Sequence, residues 1–426
     1  MAEANIEQPS TRRILLASLT GTSVEFYDFY IFATAASLVF GPLFFGGFAP
    51  QTQLIWSYTL LGLAFLSRPL GAWAFGHFGD RIGRKSTLVA SLMVMGLSTL
   101  LIAFLPSYEA AGWLGALLLA VLRFGQGFGL GGEWGGAALL AVENAPPGKR
   151  GRYGMFPQLG APVGFIAANG LFMILGLAMT QQQFMDWGWR LPFLGSAVLV
   201  GVGLWVRLKL TETAAFQAAM AEHEPAKVPI ATLFRDHLVP TIAGTFAAVA
   251  CFATYYLATA FALGYGTKTL GIAKETFLGV QLISILFMAA GIILAGWWSD
   301  LKSPRYVLIA GCIGTIVTGF LLGPMFLSGE LRVIAIWLCL SLFMMGFVYG
   351  PLGAFLPSLF PPMVRYTGAS MTFNIAGILG AAPVPAVAQY LSDHGGLGYV
   401  GYYLSGSAIL SLAALWWTRH HDAKVH

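Results

Sequence analysis

Five ionisable residues fall inside long apolar stretches: Glu25, Asp28, Arg68, Arg123 and Glu133. A charge at mid-bilayer costs at least about 2.5 to 3.5 kcal/mol even on lenient insertion scales, so such groups pair or face a polar cavity. Three carboxylates against two guanidiniums leave one surplus negative charge if all are ionised. Desolvation favours protonating a carboxyl, while a nearby arginine favours ionising it. A movement that changes water access or separates such a pair therefore loads or releases a proton. Reversible proton binding is the chemistry these residue types offer. The competing role is a static ion-pair network that holds a helical bundle together. Glu133, set within GGEWGG, is the acid that best fits that structural role, because its glycine surroundings suggest close helix packing.

The elements that must position these residues are membrane helices. Of the 426 residues 57% are hydrophobic and only 10% charged, with mean hydropathy +0.74. Soluble chains carry about 25% charged residues, so a soluble enzyme is excluded. The 53 glycines and 12 tryptophans suit close helix contact and membrane interfaces. A spanning helix needs about 20 predominantly apolar residues. Twelve stretches qualify. In the first half they are 14–40, 54–75, 86–105, 112–142, 153–177 and 191–206. In the second they are 238–263, 277–298, 306–327, 333–355, 367–391 and 397–417. The first stretch has no small-residue cleavage site after it and is read as a membrane helix, not a signal peptide.

The expected fold is all-α, with twelve transmembrane helices in two pseudo-symmetric six-helix bundles. Residues 1–206 form the first bundle, 207–237 a polar central loop and 238–426 the second bundle. Seventeen Lys and Arg lie in loops on the side of the N-terminus and four on the other, Arg190, Lys268, Lys274 and Arg332. Both termini are therefore expected in the cytoplasm. This topology also accounts for the formal charge of +5 without a nucleic-acid partner. Cys251, Cys312 and Cys339 sit in apolar segments without metal-ligand spacing, and the seven histidines are scattered. No cofactor, metal or catalytic constellation is expected.

Depth suggests partners. Asp28 lies 14 residues into its helix and Arg123 11 residues into its own from the opposite side, or roughly 21 and 17 Å at 1.5 Å per residue. Both come near the middle of the bilayer, and Asp28 with Arg123 is the first expected pair. Glu25, Arg68 and Glu133 form a second expected group nearer the cytoplasmic side.

The halves repeat: Gly76, Asp80 and Lys85 match Gly296, Asp300 and Arg305 at a shift of 220 residues, and Pro146 and Arg150 match Pro361 and Arg365 at 215. GHFGDRIGRK at 76–85 resembles the loop signature of the major facilitator superfamily, and RFGQGFGLGGEWGGAAL at 123–139 its intramembrane motif. EFYDF at 25–29, GGEWGGAALLAVENAP at 131–146, WGWRLPF at 187–193 and FPPMVRYTGAS at 360–370 resemble the metabolite:proton symporters, which include shikimate, α-ketoglutarate, citrate and proline/betaine carriers. The resemblance implies a secondary transporter of the bacterial inner membrane, expected to act as a monomer, whose partners are a small molecule, protons and the lipid bilayer. Proton-coupled uptake of a small carboxylic acid is the expected activity. A zwitterionic osmolyte remains an alternative, as does efflux, since GAPVG at 160–164 partly resembles the motif of drug:proton antiporters.

The resemblance also assigns roles. Gly76, Asp80, Arg81, Gly83, Arg84, Lys85, Glu143, Arg150, Asp300 and Arg365 are expected at a cytoplasmic gate. Ser358 stands where many relatives have an acid, and GWWSDLKSPR at 296–305 has lost most of the loop signature. Gating charges are therefore expected mainly in the first half. A midplane cavity would draw on Tyr27, Tyr30, Gln126, Gln158 and Asn169 from the first half and on Tyr255, Tyr256, Gln281, Tyr349 and Asn374 from the second. Arg123, permanently charged and forked, is expected to meet a substrate carboxylate.

Overall fold

A computed structural model of the chain describes residues 11–82, 84–208 and 229–418, and its regular structure there is helical. Twelve long helices cross the molecule. In the first half, α1 is Thr11–Ala35 continued by a π-helical turn Ala36–Phe40 and Gly41–Phe44; α2 is Pro50–Ile82, α3 Arg84–Ile102 and α4 Trp113–Glu143. Then α5 is Arg150–Gln158 with Gly160–Ala178, and α6 is Leu191–Leu208. In the second half, α7 is Leu238–Tyr256, a π turn Leu257–Phe261 and Ala262–Lys268; α8 is Lys274–Leu301, α9 Pro304–Leu327 and α10 Leu331–Ser358. Finally α11 is Arg365–Gly380 with Val384–Gly395, and α12 is Leu397–Trp417. Of the segment expected to be a loop, Pro229–Asp236 is a short helix, and 209–228 lie outside the described residues.

Helices are the open-ended structure that apolar solvent permits, since every backbone polar group must be satisfied within the segment. Among the described residues nine helices are long and apolar enough to span a membrane. The other three are α1 and α2, which carry Glu25, Asp28 and Arg68, and the interrupted α11. Leu66, Trp113, Leu177, Val198, Leu301 and Leu327 are exposed on the outside of the bundle, the position that lipid would cover.

Four helices depart from the uninterrupted rods expected from the sequence. Near the break in α5, Pro157 and Pro162 cannot donate to the ladder, and Ala381–Pro383 breaks α11 for the same reason. The π turns of α1 and α7 fall in the first helix of each half. The second is pinned: Gln281 of α8 donates its side-chain amide to the carbonyls of Ala258 (3.0 Å) and Thr259 (2.8 Å). Such turns leave carbonyls that need outside partners, and Gln281 supplies one.

Close packing fixes the charged helices. Any Cβ on Gly131 of α4 would strike the Arg68 carbonyl of α2, and one on Gly127 would meet Ser67 and Ala64. Glycine at these points lets α4 lie against α2 and holds the Arg68 backbone in place.

Candidate functional site

Between the halves lies a cavity of about 570 Å³, its open mouth included, walled by α1, α2, α4 and α5 on one side and by α7, α8, α10 and α11 on the other. Its polar residues are Glu25, Tyr30, Arg68, Tyr255, Tyr256, Tyr349 and Asn374. The rest of the wall is apolar, half of it aromatic: Phe26, Phe29, Trp134, Phe252 and Phe373. Arg68 is 6% exposed. Its guanidinium carbon lies 4.8 and 4.5 Å from the ring centroids of Phe29 and Phe65, and its buried Nε has no hydrogen-bond partner. The second half contributes no formal charge to this cavity.

A smaller compartment adjoins it through shared walls of Glu25, Phe29 and Leu130, and there sit Asp28, Arg123 and Gln126. No ion pair joins Asp28 to Arg123, contrary to the expected pairing. Arg123 donates to the Gln126 carbonyl oxygen (3.0 Å) and more weakly to the Leu61 carbonyl (3.4 Å), with the Phe32 ring 3.9 Å from its guanidinium carbon. Gln126 in turn donates to the Thr99 hydroxyl (2.8 Å), which borders Asp28. Asp28 accepts from Ser196 of α6 at 2.6 Å on one oxygen, and its other oxygen has no hydrogen-bond partner. An amide and a hydroxyl stand beside the two charges, but the Thr99 hydroxyl donates to the Met95 carbonyl (3.0 Å), so no hydrogen-bonded chain joins Arg123 to Asp28. Sequence depth brought both to one compartment, but depth does not report which neighbour each side chain meets there.

The remaining expected residues divide. Glu133 accepts from Ser91 of α3 at 2.8 Å and lines neither cavity, so it does not join Glu25 and Arg68 there. Tyr27 donates to the Pro192 carbonyl (2.9 Å), and Asn169 accepts from Thr34 (2.8 Å); both tie helices of the first half together. Gln281 serves the α7 turn. Gln158 accepts from the Trp134 indole and donates to the Tyr349 carbonyl, both at 2.8 Å. It therefore bridges the halves beneath the cavity, where Trp134 and Phe373 also stack with centroids 3.8 Å apart. Asn374 lines the cavity yet spends its amide on the carbonyls of Gly131 (3.0 Å) and Ser370 (2.8 Å).

The halves close on each other at the end that carries most of the Lys and Arg. Asp300, at the end of α8, crosses to the start of α5: it accepts from the backbone N–H of Gly151 (2.7 Å) and Arg152 (3.3 Å) and pairs with Arg152 Nε at 3.0 Å. A carboxylate at a helix N-terminus meets unpaired donors and the positive end of the helix dipole. Glu143 of α4 pairs with Arg365 of α11 at 3.4 Å. Tyr366 donates to the Gly132 carbonyl, Gly76 faces Thr367, and Gly353 of α10 touches the Gly154 carbonyl of α5.

This overturns the expectation that gating charges lie mainly in the first half. Asp300 is a principal cross-link, and the 220-residue match had marked it. Arg150 is exposed, and Arg152 holds the place expected for it. Arg81 is exposed and meets His77 of its own helix at 2.9 Å, while Lys85 donates to the Leu208 carbonyl (2.8 Å). Gly83 and the side chains of Asp80 and Arg84 lie outside the described residues. What the sequence reading missed is the aromatic wall and the contacts that Arg152 and Tyr366 make across the halves. In a chain with 32 phenylalanines and 12 tryptophans, residue type alone does not separate a cavity wall from a lipid-facing surface.

Comparison with known proteins agrees with this architecture. Residues 14–239 match the family "Sugar (and other) transporter". The chain is 46% identical to the inner membrane metabolite transport protein YhjE of Escherichia coli K12, over 95% of this chain and 93% of that one. It is 34% identical to the shikimate transporter of the same organism, over 96% and 94%. The proton:xylose symporter XylE, a major facilitator superfamily protein solved with 6-bromo-6-deoxy-D-glucose, superposes with a TM-score of 0.78 over 98% of this chain and 99% of its own. At 14% identity that likeness speaks to the fold alone. Together with the twelve helices, the paired halves and the cavity between them, these matches show that the chain belongs to the sugar (and other) transporter family of the major facilitator superfamily and is a multi-pass membrane transporter, not an enzyme.

Proposed function

We propose that the protein takes up a small carboxylate-bearing metabolite together with protons across a bacterial inner membrane, by alternating access with both termini in the cytoplasm. One observation carries this reading: a cavity between the halves holding a buried guanidinium shares a wall with a compartment holding a buried aspartate. A cation in an apolar cavity favours an anion that can reach it. Asp28, with one oxygen bonded to Ser196 and one without a donor, has room for a proton on the second. Protonation removes the Asp28 charge from a compartment that Arg123 also lines, so the arginine's surroundings change with it. Names of relatives agree in kind, the shikimate transporter foremost. The Lys and Arg bias supports the orientation, with the closed end of the molecule facing the cytoplasm.

A second reading rests on Glu25. It lines the same cavity as Arg68 amid aromatic faces, a setting that suits the cationic group of a zwitterion such as betaine. A proline/betaine transporter of E. coli K12 is 28% identical over 96% of this chain. Uptake into proteoliposomes of labelled shikimate, benzoate, α-ketoglutarate, citrate, glycine betaine and proline, driven by an inward proton gradient, separates the two. Accumulation of one of the acids without betaine or proline is the expected result. Betaine or proline uptake alone replaces the first reading with the second, and transport of none removes both.

A further inference from the structure

Two side chains of the central cavity, one from each half, carry a buried polar atom with no hydrogen-bond partner among the described residues. Arg68 of α2 has a buried Nε without an acceptor, and Tyr349 of α10 has a buried hydroxyl with no hydrogen-bond partner. Neither is a surface group: Arg68 is 6% exposed and Tyr349 2%. The one N–H of the neighbouring Trp134 is committed to Gln158, and Gln158 also holds the Tyr349 backbone carbonyl, so the phenol is anchored while its oxygen stays unused. Burying such groups unpaired costs free energy. The cost is recovered when a ligand supplies the missing partners.

Their surroundings specify what that ligand looks like. The rings of Phe29 and Phe65 lie within 5 Å of the Arg68 guanidinium carbon, and with their own centroids 5.7 Å apart they crowd it from one side, leaving the Nε of its fork without an acceptor. A carboxylate matches that fork in shape and charge. Arg123 is a poorer candidate, because it sits in the adjoining compartment with donors given to Gln126 and Leu61. Around Tyr349 the wall is aromatic, with the Phe373 ring centroid 6.2 Å away, and accepts a flat apolar body.

We propose that Arg68 and Tyr349 clamp the substrate from opposite halves, the guanidinium holding a carboxylate and the phenol an oxygen substituent at the far end of a ring. The class is a cyclic monocarboxylic acid bearing a hydroxyl or carbonyl oxygen. This assignment rests on the carboxylate reading above and deepens it. A molecule held at both ends ties α2 to α10, so occupancy itself draws the halves together.

Titration calorimetry on the purified full-length protein tests the clamp with 3-hydroxybenzoate, benzoate and 3-hydroxybenzamide. The wild type binds 3-hydroxybenzoate more tightly than either analogue. Arg68→Gln weakens 3-hydroxybenzoate by about 30-fold or more, the loss expected when one member of a buried charge pair is removed, and erases the preference for acid over amide. Arg68→Lys keeps the charge and loses the fork; it weakens the acid by about tenfold and serves where the glutamine variant does not fold. Tyr349→Phe weakens 3-hydroxybenzoate by about 3- to 10-fold, the range of one neutral hydrogen bond, and leaves benzoate unchanged. Wild-type affinities in folded Arg68→Lys and Tyr349→Phe overturn the clamp. A wild type that binds neither ring acid yet accumulates another carboxylate overturns the ring-acid class while the carboxylate reading stands.

Discussion

Asp28→Asn abolishes accumulation driven by a pH gradient while substrate exchange survives. The substitution nearly preserves shape and removes the titratable oxygen that has no hydrogen-bond partner. Ser196 still has an acceptor in the amide oxygen. In a one-to-one symporter each pH unit supports about tenfold accumulation, since one unit is about 1.4 kcal/mol of proton free energy. The variant drops from that ratio to about one. Counterflow, which swaps labelled for unlabelled substrate without an imposed gradient, stays within a few-fold of the wild type because binding is assigned to the neighbouring cavity. Arg123→Lys impairs coupling by another route: it keeps the charge but loses the planar fork that engages Gln126, and with it the link to Thr99. Gradient-driven uptake by Asp28→Asn at the wild-type level moves the proton to another carboxylate, with Glu25 next because it borders both cavities.

The second large effect concerns the gate. Gly353→Leu forces open the end that carries most of the Lys and Arg, because a side chain at 353 collides with the Gly154 carbonyl across the interface, and a Cβ on Gly154 itself would stand 2.9 Å from the Ala354 nitrogen. The clash is between halves, not within one, so the substitution disfavours the closed arrangement and leaves each bundle intact. Ser299, 4% exposed and set against Gly151 one turn along the same interface of α5 with the second half, is the reporter. A cysteine at 299 in an otherwise cysteine-free chain reacts slowly in the parent and at least about tenfold faster with Gly353→Leu, a population shift of about 1.4 kcal/mol. Size-exclusion chromatography confirms that the variant is folded, and uptake falls because the opposite-facing state is depleted. An unchanged labelling rate with normal uptake shows that the Gly154–Gly353 contact does not govern closure.

How much of this was legible in the sequence depends on what a linear pattern encodes. Run length encodes spanning helices, so all twelve were placed, with α2 running seven residues past its expected end and the other ends within about five. Charge in an apolar run encodes function or pairing, so Asp28, Arg68 and Arg123 stood out at once. Azimuth is not encoded. Asp28 and Arg123 share a depth but not a contact, Arg68 turned out to face the cavity in place of Arg123, and Gln158 left the cavity for the contact below it. Irregularities with a local cause were readable in principle: prolines at 157, 162 and 383 mark the breaks in α5 and α11. Pro42 likewise follows the π turn of α1, whereas the π turn of α7 has no proline beside it. Asp300 illustrates a readable residue that was undervalued, because decay of the signature around it drew more weight than its alignment with Asp80 in the repeat.

Coupled movement of proton and carboxylate is the central claim, and proton flux provoked by substrate reads it directly. Proteoliposomes with no imposed gradient are placed in a weakly buffered medium, and external pH is recorded as the acid identified by the uptake panel is added at that pH. Proton symport predicts external alkalinisation that scales with uptake and is absent in Asp28→Asn. Uptake with no pH change, or with acidification that marks exchange for an outgoing proton, contradicts it.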